Sequence, residues 1–161
     1  LILGMTASGS GFSRGSLVRL TAFGLDSSFG LAGWANVDLA SGPSEIDELL
    51  GIVVQSDDRI VPFGYTRTLS MRDCVLERFD ADGQGLDASF GTAGRTTVSF
   101  TTGAVVDDCV AAAIGDGRVV TGGLSDLQGD LDFISARLTS QLIYTDGFEI
   151  GSGYFWSAIV P

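Results

Sequence analysis

Histidine is absent from the 161 residues of this chain. That removes the commonest general base, the usual partner of a serine or cysteine nucleophile, and the commonest transition-metal ligand. Positive charge is also scarce: nine Lys and Arg stand against twenty Asp and Glu, a net charge of −11. A surface of that sign repels polyanions, so nucleic acid and anionic membranes are poor partners. No segment approaches the roughly 20 apolar residues of a membrane span. The first residues, Leu1-Ile2-Leu3-Gly4, carry no initiator Met and no basic stretch leading into a long apolar run. Only three prolines occur, which excludes a Pro-rich linker.

What is present points to β-structure. Hydrophobic residues make up 45% of the chain, too many for a disordered acidic tail. Twenty-three glycines imply frequent tight turns between short strands, because glycine supplies the positive φ that hairpin turns demand.

The strongest signal is self-similarity. Leu25-Asp26-Ser27-Ser28-Phe29-Gly30 returns as Leu86-Asp87-Ala88-Ser89-Phe90-Gly91, 61 residues later, and Ala32-Gly33 returns as Ala93-Gly94. Asp58-Arg59-Ile60-Val61 with Gly64 returns as Gly117-Arg118-Val119-Val120 with Gly123, 59 residues later. The stretch from Asp73 to Phe79 returns at the same spacing from Asp132 to Leu138, and the difference of two falls on Gln84-Gly85. Arg19, Arg78 and Arg137 are in frame. The frame divides the chain into the second half of a unit (1–24), two units (25–85 and 86–141) and a tail (142–161). An array that opens in mid-unit predicts a C-terminal fragment of a longer repeat protein.

Each unit reads as four short strands. In the first full unit these are 34–39, 49–55, 60–66 and 74–79; in the second they are 96–100, 109–114, 118–122 and 133–138. Gly115-Asp116-Gly117 suits a type I′ hairpin. Strands two and three are almost wholly apolar, as inner strands covered on both faces should be. Strand four alternates, with Val75, Glu77 and Phe79 on one face. Residues 44–50 are the only candidate helix, with Ser44 as its N-cap. Four antiparallel strands at a fixed period fit a β-propeller blade; a β-sandwich is the alternative.

These motifs resemble the delta-60 repeat, a bacterial β-propeller-like family. Its units carry a Leu-Asp-x-Ser-Phe-Gly stretch, an Asp-Gly-(Arg/Lys)-Ile-Val turn and strand, a following Gly, and an Asp-Phe-x-x-x-Arg-(Leu/Phe) strand. The resemblance covers about residues 1 to 141 and implies a surface or secreted repeat protein without implying a reaction. The tail, Asp146-Gly147-Phe148-Glu149-Ile150-Gly151 with Trp156, is similar to the Asp-Gly-Phe-Glu-x-Gly…Trp ending of exported Gram-negative proteins. The plainer alternative for the tail is a last strand over 154–160 that pairs with an open edge.

Candidate sites are few. Asp80, Asp82 and Gln84 have the opening spacing of a Ca²⁺ loop, but position twelve is Gly91 where a Glu belongs, so a plain turn is favoured. Asp57-Asp58, Asp107-Asp108, Asp130 and Asp132 offer carboxylates for glycoside chemistry, yet aspartate is also a default turn residue. Phe29, Phe90, Gly64, Gly123, Arg78 and Arg137 recur in frame, which argues for structure, since a catalytic site needs a residue once. Each Phe is expected to plug the contact between neighbouring units. Arg19, Arg78 and Arg137 are expected to bind turn carbonyls or the motif aspartates, Asp26 or Asp87. Cys74 and Cys109 lie at different places in the frame, and either a disulfide or two buried thiols fits them.

The function expected from these residues is a non-catalytic, exported bacterial scaffold that binds a protein or glycan. The alternative is part of a propeller polysaccharide hydrolase or lyase. No cofactor is called for beyond the candidate Ca²⁺, and open sheet edges invite self-association.

Overall fold

The computed structural model describes residues 2–7, 13–40, 46–68, 71–99, 106–127, 130–138 and 143–148. Within them the chain is all-β: thirteen strands and no helix. The first sheet joins β1 (Ile2–Ala7), β2 (Ser13–Val18) and β5 (Trp34–Val37) in that order, with a small hairpin of β3 (Leu20–Thr21) and β4 (Gly24–Leu25) at its rim. The second runs β6 (Ile46–Val54), β7 (Ile60–Arg67), β8 (Arg72–Glu77) and β9 (Arg95–Val98). The third runs β10 (Asp107–Gly115), β11 (Arg118–Leu127), β12 (Asp130–Leu138) and β13 (Ile143–Phe148). Every named pairing is antiparallel.

The grouping of strands departs from the sequence reading. Residues 34–39 and 96–100 were expected to open the sheets of their own units. Instead β5 pairs with β2 and β9 pairs with β8, so each sheet takes its last strand from the unit that follows. The Leu-Asp-x-Ser-Phe-Gly stretch is therefore a connection inside a sheet, leading into its last strand, from β2 to β5 in the first sheet and from β8 to β9 in the second. In the third sheet that outer position is taken by β13, which contains Asp146-Gly147-Phe148 of the tail. The candidate helix is also corrected, because 46–50 belong to β6. Its apolar run, Leu49 to Val54 across Gly51, favours a strand. Ser44 and the expected strand 154–160 lie outside the described residues.

Alternation along β8 explains how three sheets are held together. Val75 and, beyond the strand, Phe79 face the first sheet and share a core with Leu17, Phe29, Val37 and Ile60. Cys74 and Leu76 face the third sheet and share a core with Val61, Phe90, Val119, Ala136 and Leu138. Period-two geometry sends successive side chains to opposite faces, so one strand serves two cores. Burying each large side chain contributes about 1.5–3 kcal/mol. Among the described residues the third sheet is covered on one face only. Along β11 buried and half-buried residues alternate, and along β10 several residues are exposed. The expectation that strands two and three are covered on both faces thus holds best for β7.

The hairpins keep the period. Asp116 and Gly117 both have positive φ, 50° and 73°, as a type I′ turn requires. The β6–β7 pair carries a bulge between Leu49 and Gly51, and the β10–β11 pair carries one between Cys109 and Ala111. Opposite each bulge sits a framed glycine. A Cβ on Gly64 would overlap the Glu48 carbonyl, and one on Gly123 would overlap the Asp108 carbonyl. Close backbone approach is why no larger residue stands at either place. Among the described residues no helix is long and apolar enough to cross a membrane.

Candidate functional site at the junctions between units

The Leu-Asp-x-Ser-Phe-Gly loop repeats atom for atom. Arg19 Nε donates to Asp26 Oδ2 at 2.7 Å, and Arg78 Nε donates to Asp87 Oδ2 at 2.9 Å. The same guanidinium reaches a serine through Nη2, Ser28 at 3.4 Å and Ser89 at 2.9 Å. Each serine hydroxyl donates to the aspartate, at 2.6 and 2.7 Å, and each serine N–H does the same at 3.0 Å. Arg19 stacks over the Phe29 ring and Arg78 over the Phe90 ring, at 4.9 and 4.8 Å to the centroid. The motif is thus one device. The aspartate folds the turn and fixes the arginine, and the arginine lies over the buried phenylalanine.

These bonds favour the ionised carboxylate. The Ser28 hydroxyl, followed by Arg19, holds Asp26 below the usual range. The Ser89 hydroxyl, with Arg78 also contributing, brings Asp87 down to about 2. Arg59 adds a second cation at 2.9 Å from Asp87.

The loop of the first sheet receives a turn of the second. Arg19 Nη1 donates to the Ala81 carbonyl at 2.9 Å, Gly30 N–H donates to the Asp82 carbonyl at 2.8 Å, and Gln84 Nε2 donates to the Gly30 carbonyl at 2.6 Å. Gly83 lies on the Phe29 ring so closely that a Cβ there would overlap it. The residues singled out for Ca²⁺ therefore serve this turn: Asp82 Oδ1 accepts the Gln84 N–H at 3.0 Å, and the Gln84 amide crosses to the neighbouring sheet. The described residues hold no group of three or more His, Cys, Asp or Glu placed to take a metal ion.

The two junctions differ below the loop. At the first, Asp47 and Glu77 are each only 3% exposed. Burial, with Asp38 nearby, raises Asp47 to about 6, and burial raises Glu77 to about 7 although Arg95 opposes it. Arg95 Nη1 donates to the Ala40 carbonyl at 3.0 Å. At the second junction the counterparts are Asp107, which accepts from Ser125 and Ser99, and Ala136, which replaces Glu77. Here Cys74 of β8 and Cys109 of β10 form a disulfide, with Cα atoms 5.0 Å apart. The bridge joins the second sheet to the third. A cavity of about 290 Å³ also lies at this junction, lined by residues that include Gln55, Arg78, Phe90 and Arg118.

The remaining acidic candidates fall in two places. Asp57 and Asp58 lie in the β6–β7 turn. Asp107, Asp108, Asp130 and Asp132 lie on β10 and β12 of one sheet, where Asp107 and Asp132 flank Ser125. Asp57 pairs with Arg59 in the β6–β7 turn, Asp108 pairs with Arg72 at 2.8 Å, and Asp132 sits opposite Ser125 in β12. The side chain of Asp130 lies outside the described residues. Sequence reasoning did not single out Asp38, Asp47, Glu77 and Arg95. The available signals were a charge on the inward face of strand four and an aspartate 60 residues before Asp107.

Set beside known proteins, the chain matches no family model, and no curated protein or solved structure is similar to it.

Proposed function

We propose that this protein is an exported, non-catalytic repeat scaffold of delta-60 type, built as part of a β-propeller and presenting a binding surface for a protein or glycan. The carrying observation is the reuse of one Arg–Asp–Ser–Phe device, with the same atoms, in consecutive sheets. A device spent on packing in each unit supports a scaffold. The Cys74–Cys109 bridge supports export, because such bonds persist in oxidising compartments.

The alternative, a polysaccharide hydrolase or lyase, draws support from Asp47 and Glu77, whose carboxyls are raised toward neutral pH. Their burial argues against it, since a sugar chain would have to reach them.

The two readings part in one assay. Labelled protein is passed over a panel of bacterial surface polysaccharides, with retention and release of reducing ends both measured. Retention without release is expected. Release that Glu77→Gln abolishes would move the assignment to the hydrolase, and neither retention nor release would remove the glycan reading.

A further inference from the structure

The turn over residues 80–85 has a counterpart in the β3–β4 hairpin, and the counterpart is bare. Phe79, Ala81, Asp82 and Gly83 correspond in the frame to Leu20, Ala22, Phe23 and Gly24. Each of the former meets the first sheet. Phe79 is 5% exposed in the core that holds Phe29, the carbonyls of Ala81 and Asp82 accept from Arg19 and Gly30, and Gly83 lies on the Phe29 ring. Among the described residues each of the latter meets nothing comparable. Leu20 is 43% exposed and Phe23 wholly exposed, and a Cβ on Gly24 would find open space. The apolar rim continues through Leu25, Leu31 and Trp34, all exposed. A contiguous exposed patch of this kind marks an interaction surface.

We propose that the β3–β4 hairpin is a docking surface for one further unit of the same repeat. That unit would present an Arg and a Leu-Asp-x-Ser-Phe-Gly loop. Its guanidinium and the N–H of its motif glycine donate to the carbonyls of Ala22 and Phe23, and its phenylalanine ring seats on Gly24. The warrant is continuity with the first junction, where a turn in the same frame position is covered by that loop. Three of the contacts in that junction use a carbonyl or a glycine of the turn, those of Ala81, Asp82 and Gly83, so they survive the change of side chains from Asp82-Gly83 to Phe23-Gly24, whereas the Gln84 amide has no counterpart. The inference rests on the repeat reading given above. Its test reads docking, not glycan binding or export, so the two can fail separately.

The test compares the chain with one carrying a copy of residues 13–60 ahead of Leu1, the added copy marked by Phe23→Tyr so that its peptides are distinguishable. Hydrogen exchange is followed at the original residues 20–25. Docking should slow exchange there at least tenfold, and Phe29→Ala in the added copy should return it to the rate of the unextended chain. Unchanged exchange overturns the proposal, whether the added copy folds apart or stays unprotected, because the seat is complementary to that loop. Protection that survives Phe29→Ala also overturns it. So does an unextended chain that sediments as a dimer until Phe23→Asp, since the occupant would then be a second molecule.

Discussion

The two junctions share one loop but rest on different chemistry. At the first, between the first and second sheets, Arg19 and Asp26 retain 32% and 20% side-chain exposure, and a neighbouring turn caps the loop from outside. At the second, Arg78 and Asp87 retain 13% and 9%, Arg59 joins them, and a disulfide ties the sheets beneath. The first junction also carries buried Asp47 and Glu77 against Arg95, where the second has Asp107 bonded to two serines and an alanine. The common loop is what the repeat supplies. The sheet-to-sheet attachment below it is particular to each junction, titratable in one and covalent in the other.

The comparison is broken most directly through the phenylalanines. Phe29→Ala and Phe90→Ala should each lower stability by about 3–5 kcal/mol, as truncation of a buried aromatic does. Urea unfolding of the two variants should give losses alike to within about 1 kcal/mol; one near-silent variant would show that the copies are not equivalent. Next in size is the disulfide. Closing a loop of 35 residues in the unfolded chain is worth about 4 kcal/mol by chain entropy. The paired Cys74→Ala and Cys109→Ala variant should therefore lose slightly less than that, and reductant should no longer change its melting temperature. A reductant effect that persists would mean that the bridge is not the one described.

The third prediction separates the junctions by pH. Glu77 and Asp47 have folded pKa values of about 7 and about 6, above their ordinary values. A raised carboxyl binds a proton more tightly folded than unfolded. Its stabilisation is whole below about pH 4 and declines as pH rises through 6 and 7. For Glu77 the displacement corresponds to roughly 3 kcal/mol. Melting temperature should fall between pH 5 and 8; Glu77→Gln should flatten that slope, whereas the paired cysteine variant, which keeps Glu77, should retain it. The smallest effect belongs to the loop aspartates. Asp87, held at about 2, contributes stability above about pH 4 that is lost as pH falls toward 2. Asp87→Asn should lower the melting temperature at pH 7 more than Asp26→Asn, and equal effects would mean that Arg59 adds nothing.

Much of this was legible before any coordinates. The roles of Phe29, Phe90, Arg19 and Arg78 follow from their recurrence in frame, because a residue needed in every unit is a packing residue. Gly64 and Gly123 follow from the same argument. The carboxyl cluster was less visible, because Asp38, Asp47, Glu77 and Arg95 come from four separate stretches of chain and only one of them breaks an apolar pattern. The turn that carries Asp80, Asp82 and Gln84 faces another sheet, and spacing alone does not say what a loop faces.

By itself the sequence determined the strands, their turns and the period, since these depend on alternation and glycine placement within a few residues. Only the tertiary structure decided which strands share a sheet. Hydrogen-bond pairing at a sheet edge is set by what lies alongside in space, and β5 and β9 lie alongside the unit before their own. It also decided that Cys74 and Cys109, at unlike places in the frame, come within bonding distance, because β8 and β10 face one another across a single core.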